Sequence, residues 1–527
     1  MKKSKKNSKK MVSNPIKKIN ILISSLQKID LKKIWSLMFF CCLCWFFLIC
    51  ILDAGYTFNP LLIILGITTA VILLTKIYKT IQKKFKNLSD KKAWIFYTIV
   101  VCLMITIQAV IGYLVRTNPS WDLGIVIKSA QEIVKYGHST DMAGYYIQAP
   151  NNILITLLIA LTIKVFSFIG IVNINIITLI VNIIFIQLSI FLLFKLTKKI
   201  YDNYTACFVL ILMFMFLPIY PYSTIMYTDT MSMFLPIGFL YLFQKLDDVD
   251  INKKFIIISI IIGFFSFISL NLKVTALIVV MATVINEIIN KKFKKIVCVC
   301  LIAICSFTLF ETVFTTIVKK TNVMGLDYKL TKSIPYTHFI MMGMYNMGAF
   351  DSGEWQFTLN LPDYNTRKKE NIKVIKSRLS QYKTQGYIKF LNYKVKQQTW
   401  GSGTYDFENI LSSYQVDNNI AHQFLLSNGR YYNAVYYYCQ IFHFTMLFFI
   451  LASILYSIKI REKIETLNIA RLSMFGLLLF LLIWETRSRY MLNYIPVYLL
   501  ITVSGVISLS NNSKKIKKIL FLKNEEK

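Results

Sequence analysis

Ile153-Leu154-Ile155-Thr156-Leu157-Leu158-Ile159-Ala160-Leu161-Thr162-Ile163 is an apolar stretch of eleven residues that stops at Lys164. A helix needs about 20 residues to cross a bilayer. This stretch is too short, and reading it as non-crossing decides the topology of the chain. Twelve further apolar runs lie near 37–54, 60–78, 93–115, 174–195, 205–220, 229–244, 255–270, 272–289, 296–318, 437–458, 471–485 and 491–510. If 152–169 crossed, Lys195-Leu196-Thr197-Lys198-Lys199 would fall outside and every later loop would invert. If it lies in the interface or re-enters on the outer side, the basic loops 76–92, 195–199, 245–254, 291–295, 459–471 and 514–518 all fall inside. That is where short basic loops belong.

The expected fold is therefore an all-α polytopic membrane protein with about twelve transmembrane helices and interfacial helices in its first large outer loop. Composition agrees. The chain has 527 residues, 55% of them hydrophobic and 16% charged, with a mean hydropathy of +0.53. The net charge of +34 would suggest nucleic acid in a soluble protein. Here it sits largely in short inner loops and carries orientation, so no nucleic-acid partner is expected. The ten cysteines lie in or beside apolar runs and imply no disulfide framework.

The expected organisation has five parts. Residues 1–36 form a cytoplasmic polybasic tail that can rest on anionic membrane lipids, with no cleavable signal. Residues 37–318 form a transmembrane core with an outer loop at 116–173. A large extracytoplasmic loop covers 319–436, C-terminal membrane helices cover 437–510, and a basic cytoplasmic tail covers 511–527. Heavy use of Ile, Lys and Asn suits a bacterial cell membrane, in which the chain would be a multi-pass protein.

This topology gathers polar clusters on one outer face. Asp122 stands in Ser120-Trp121-Asp122-Leu123-Gly124, at the start of a segment with Leu123, Val126, Ile127, Ala130, Ile133 and Val134 at helical spacing. That pattern predicts an amphipathic helix lying on the outer leaflet. His138, Asp141, Tyr145 and Tyr146 follow, then Gln148-Ala149-Pro150-Asn151-Asn152. Asp229 stands in Tyr227-Thr228-Asp229, after an aromatic, hydroxyl-rich turn. Two carboxylates facing one aqueous side suggest an enzyme at the bilayer surface. The plainer alternative for each is a helix cap. A third cluster is Glu485-Thr486-Arg487-Ser488-Arg489-Tyr490. Two arginines at membrane depth need anions, and a lipid-carrier phosphate is a natural one. Lys273 breaks the inside-positive pattern and is a further phosphate candidate; its plainer alternative is snorkelling.

An acid in the first long outer loop, a second acid in a short later one, and the distal turn Glu485 to Tyr490 followed by Pro496 together resemble the C-type membrane glycosyltransferases. Protein O-mannosyltransferases and lipid A aminoarabinose transferases are examples. The chain also resembles a group of integral membrane proteins of Gram-positive bacteria, through His338 to Gly343 and Trp400-Gly401-Ser402-Gly403-Thr404-Tyr405. The first resemblance implies helices along the membrane after the first acidic loop. It implies transfer of a hexose-type sugar from a polyprenyl-phosphate carrier to an extracytoplasmic acceptor (a cell-envelope polymer, lipid or protein), with inversion. Asp122 would then serve as general base, with Asp229 beside it. Lys273, Glu485, Arg487, Arg489, Tyr490, Tyr227 and His338 would bind substrate. Many relatives carry paired acids in the first loop and can hold a divalent metal. Asp122 has no adjacent acid, Glu132 being ten residues on, so no cofactor is assigned and a metal site is in doubt.

The chain lacks a phosphate-binding glycine loop, a His-Glu-x-x-His motif and a Cys/His metal cluster, which argues against a nucleotide-driven pump and a zinc protease. The competing classes are a lipid-linked sugar flippase, a small-solute transporter and a surface-polysaccharide polymerase. A transporter would need polar residues deep in several spans, with internal repeats that the sequence does not display.

Overall fold

The computed structural model describes residues 30–52, 59–118, 121–139, 141–326, 333–412, 419–460 and 464–521. The polybasic segment expected before residue 30 lies outside the described residues. The fold is helical, with no β-strand among the described elements. In chain order, α1 is Leu31–Leu52, α2 Pro60–Phe85, α3 Asp90–Leu114, α4 Asp122–Tyr136, α5 Ala143–Gln148, α6 Ile153–Phe168, α7 Ile174–Ile200 and α8 Asn203–Met215. Next come α9 Phe234–Asp247, α10 Lys253–Leu272, α11 Ile278–Ile289, α12 Phe293–Thr321, α13 Tyr336–Met342, α14 Ser352–Leu359 and α15 Tyr364–Tyr393. The last three are α16 Tyr432–Ile460, α17 Glu465–Ile483 and α18 Ile495–Phe521. The basic residues expected as a tail from 511 thus continue the last helix.

Short polar loops start these helices with capping side chains. Asn59, Ser89, Asn173, Asp202 and Asn252 each accept a backbone N–H of the helix they precede, which satisfies otherwise orphaned donors. Ion pairs knit the basic loops into one end of the bundle. Lys198 lies 2.6 Å from Asp90 and Lys292 2.7 Å from Glu465, while Lys199 pairs with Asp248.

Among the described residues, ten helices are long and apolar enough to cross a membrane, or eleven if the bent pair Asn203–Met215 and Leu217–Thr224 counts as one. This is fewer than the expected twelve. The runs expected at 229–244 and 272–289 yield α9 and α11, of 14 and 12 residues. Each is cut short where a functional candidate interrupts it. Asp229 sits in a four-residue helix, Thr228–Met231. Lys273 is extended (φ −152°, ψ 94°) ahead of a 3-10 turn at Val274–Leu277. Non-helical backbone at membrane depth persists where protein buries it.

The segment Pro150–Phe168, at 19 residues, also passes the length test, because the polar turn before Ile153 joins it. Its ends nevertheless lie toward the same end of the bundle. Asn152, just before α6, reaches the Tyr227 hydroxyl at 3.4 Å. In α7, which follows, Asn182 donates to the carbonyls of Tyr222 and Ser223, and Lys198 pairs with Asp90 far down the same helix. Ile174 therefore starts about 12 Å beyond Asn182 on the side away from the basic loops.

Polar groups are not confined to one face. Arg471 in α17 is fully buried. It donates to Ser453 of α16 and Ser504 of α18, tying three helices together.

Candidate active site

Asp122 opens α4, whose N-cap is Trp121 without a side-chain cap bond. The carboxylate is in the first turn, where the helix dipole favours it, but the N-cap position is not its own. Its oxygen Oδ2 accepts the Tyr227 hydroxyl at 3.2 Å. Tyr145 is a second neighbour. Burial first, then the Asp122 charge, holds the Tyr145 phenol above its ordinary pKa, so it stays protonated. Asn152 donates to that hydroxyl at 2.5 Å.

Asp229 is 3% exposed. Lys273 Nζ meets its Oδ1 at 2.6 Å and Arg489 Nε lies 3.9 Å from its Oδ2. Two cations held by one buried carboxylate are stabilised against desolvation. Lys273 also lies over the Tyr490 ring at 4.2 Å, so it is an inward ion-pair partner, not a snorkelling lysine. Arg489 is boxed by aromatic faces, with its guanidinium carbon 5.0 Å from the Trp121 ring, 5.9 Å from Tyr227 and 5.6 Å from Tyr490. Such rings favour a cation. The Arg489 Nε is buried with no hydrogen-bond partner. Asp122, Tyr227, Asp229, Lys273, Arg489 and Tyr490 thus meet in one cluster, although they come from four segments.

Glu485 differs from what helical spacing would give. Trp484 ends α17 in an extended conformation (ψ 159°), so Glu485 and Arg489 do not share a helical face. Glu485 instead accepts the Tyr490 hydroxyl on both oxygens, at 3.1 and 2.9 Å. Burial raises its pKa. Arg487 points to the outer loop and reaches Asp406 at 3.3 Å. His338 is placed elsewhere. It is fully buried in α13, its Nδ1 is 2.8 Å from the Thr358 hydroxyl, and its ring packs on Phe339 and Trp355. Burial pulls its pKa down to about 4, so it stays neutral.

Asp406 and Glu408 were not singled out by sequence. They follow Trp400 to Tyr405, a segment wedged into the protein. A Cβ on Gly401 would lie 1.8 Å from the Lys396 carbonyl, and one on Gly403 2.4 Å from the Cys439 carbonyl. Tyr405 and Asp406 both adopt positive φ, 55° and 69°, a strained choice for residues with side chains. The fully buried Tyr405 bonds His443 through its hydroxyl and takes the Tyr222 hydroxyl on its carbonyl. Tyr222 belongs to the turn that leads to Asp229, so the outer loop is fastened to the site from above. Glu408 accepts from Thr404 at 3.0 Å, and burial lifts its carboxyl to about 7. The signal available in sequence was the paired glycines beside two acids.

A divalent metal does not fit this donor set. Asp229 is engaged by two cations, and among the described residues no three His, Cys, Asp or Glu side chains are placed to hold an ion. What the cluster can do is take a proton at Asp122 and hold an anion at Arg489, a short step away across Trp121 and Tyr227.

A comparison with curated proteins yields no match. Among solved structures, the chain is similar to the archaeal oligosaccharyltransferase AglB from Archaeoglobus fulgidus in complex with an inhibitory peptide and a dolichol-phosphate, at 14% identity and a TM-score of 0.41. That match covers 81% of this chain and 52% of the archaeal one, so this chain spans about half of that enzyme's length. A family model described as conserved hypothetical integral membrane protein matches residues 24–509, nearly the whole sequence. The chain belongs to this family of integral membrane proteins.

Proposed function

We propose that this protein is an integral membrane glycosyltransferase that moves a sugar from a polyprenyl-phosphate carrier to a hydroxyl acceptor on the extracytoplasmic side. The observation that carries the reading is Arg489. It is a buried, aromatic-lined guanidinium whose Nε makes no hydrogen bond, set between the Asp229 carboxylate it pairs with and the Asp122 carboxylate, which can act as base. A buried donor without a partner calls for a ligand, and a guanidinium suits phosphate.

In the proposed reaction Asp122 takes the proton of the acceptor hydroxyl. The acceptor oxygen forms a bond to the anomeric carbon as the bond from that carbon to the phosphate oxygen breaks, with inversion. The leaving lipid phosphate gains charge, which Arg489 and Lys273 stabilise. Asp229 keeps both cations in place before the donor arrives. Tyr227 and Tyr145 orient the Asp122 carboxylate. The knitting of the basic loops at one end of the bundle supports an inner face there and an extracytoplasmic site at the other.

The test is the pool of lipid-linked sugars. In a deletion strain of the source bacterium, a polyprenyl-phosphate sugar should accumulate several-fold, and a plasmid copy should restore the pool. The purified protein in proteoliposomes should then release free polyprenyl phosphate only when an acceptor is supplied. An unchanged lipid-linked pool would reject the reading.

A further inference from the structure

The outer segment 319–436 carries 15 Lys and Arg against 8 acids. The excess is confined to one part. Residues 364–396 hold ten basic residues and a single acid, Glu370, whereas the rest of the segment holds five basic residues and seven acids. Long loops translocate without regard to charge, so orientation does not explain a basic block there.

The geometry of α15 shows where that charge points. Arg367 and Asn371 are buried. Asn371 reaches the Thr337 hydroxyl, Arg378 donates to the Met341 carbonyl at 2.7 Å, and the Tyr382 hydroxyl donates to the Met344 carbonyl at 3.0 Å. These residues form the face of α15 that lies on α13. Lys369, Lys373, Lys376 and Ser380 recur at helical spacing on the opposite face, and all four are exposed. Arg378 is neutralised by Glu354 through two bonds of 2.9 and 2.6 Å, while Glu370 pairs with Lys373.

α13 in turn lies between α15 and the active-site turn. Its Phe339 ring stacks on Trp484 at 5.1 Å and its Phe339 carbonyl accepts Glu485 N–H. The lysine ridge is therefore two layers removed from the outer end of α17, on the face of α15 opposite α13. Beyond Tyr382 the helix bends at Lys383 (φ 51°), and its far end returns to the membrane helices, where Trp45 donates to Asn392 at 2.9 Å.

We propose that the Lys369–Lys373–Lys376 ridge binds a polyanionic chain in the aqueous space outside the membrane, which keeps an anionic acceptor polymer close to the active site. Three facts select this occupant. The charge is complementary. The Cβ atoms of successive lysines are about 5–6 Å apart along the helix, which suits a chain with repeated charges better than one phosphate. Lysines also grip as mobile point charges, without the fork that fixes a single ligand. This inference rests on the side of the membrane proposed above.

The experiment uses spheroplasts that display the full-length chain, with fluorescein-labelled inorganic polyphosphate added outside. The parent should bind it, and K369S/K373S/K376S should weaken binding about tenfold and lower the steepness of its salt dependence by about 2. K83S/K84S, at the end of α2 away from the site, should change nothing. S380C should react with an impermeant thiol reagent above the parent's background. Absent labelling of S380C would overturn the assigned side and this inference with it. Labelling of S380C without polyphosphate binding, or with equal binding by the triple variant, would overturn the ridge alone. Phosphatidylglycerol vesicles that displace polyphosphate at equal phosphate concentration would show the ridge to be a bilayer contact and would also overturn it.

Discussion

Tyr227 donates its hydroxyl to Asp122 across 3.2 Å, although the two are 105 residues apart. That single bond joins the first outer loop to the turn carrying Asp229, and so fixes the proposed base against the proposed phosphate site. Removing the base should therefore leave the scaffold standing. Asp122→Asn retains an acceptor for Tyr227 and gives up only the first-turn dipole interaction, so thermal stability should change little, by at most about 1 kcal/mol. Sugar transfer in proteoliposomes should fall roughly 100- to 10,000-fold. Near-normal turnover would return Asp122 to a purely structural part in α4.

Arg489 and Glu485 are separable, because Glu485 bonds Tyr490 and not Arg489. Arg489→Ala should abolish transfer and binding of a polyprenyl phosphate, and Arg489→Lys should impair both severely, since a lysine cannot copy a two-point grip on phosphate. Glu485→Gln should keep most phosphate binding. Binding by titration calorimetry and melting temperature, measured on all three, check this. Retained binding in Arg489→Ala would rule out the phosphate role.

Lys273 and Asp229 form a nearly buried pair. Lys273→Ala leaves a buried carboxylate short of one cation and should destabilise the protein by about 3–5 kcal/mol. Asp229→Asn in the same chain should recover much of that loss. Donor use should stay weakened in the double variant. Additive destabilisation in the double-mutant cycle would show that the pair is not coupled as the geometry indicates.

Glu408 predicts a pH dependence. Burial raises its pKa from 4.5 to about 7, so across that window the folded protein keeps a proton that the unfolded chain releases. The folded state binds more protons, and stability falls as pH rises from about 4.5 through 7. Glu408→Gln removes this contribution. Its melting temperature relative to the parent should be level near pH 4.5 and gain steadily up to pH 8. A constant offset across the range would show that Glu408 titrates normally.

Much of the bundle was legible in sequence because hydropathy and loop charge act over many residues at once. The short stretch from Ile153, the charge of Lys195 to Lys199 and the three outer clusters sufficed to bring Asp122, Asp229, Lys273 and Arg489 to one face. What stayed hidden was local geometry. That Glu485 bonds Tyr490 and not Arg489 was not legible, because nothing in Ile483-Trp484-Glu485 announces where the helix ends. Asp229 read as the start of a span and Lys273 as lying between two spans, and the unwinding of the backbone at both, which lets them meet, had no sequence signal. Asp406 could not be placed because its position depends on Tyr405 being seated against His443 and Tyr222, contacts made across 38 and 183 residues.

The buried Lys394 bears on how such proteins can be recombined. Its ammonium donates to the carbonyls of Gly343, Leu482 and Trp484, at 2.7, 3.0 and 2.7 Å, while Gly343 presses on Trp484 so closely that a Cβ would come within 2.6 Å of its carbonyl carbon. The outer segment is thus not a detachable module. A chimera that transplants residues 319–436 from a relative onto this membrane core would have to carry the end of α17 with it, or strand the Leu482 and Trp484 carbonyls and a charge at the seam. Exchange of acceptor preference between relatives would then require crossover points inside α17, not at the loop's apparent boundaries.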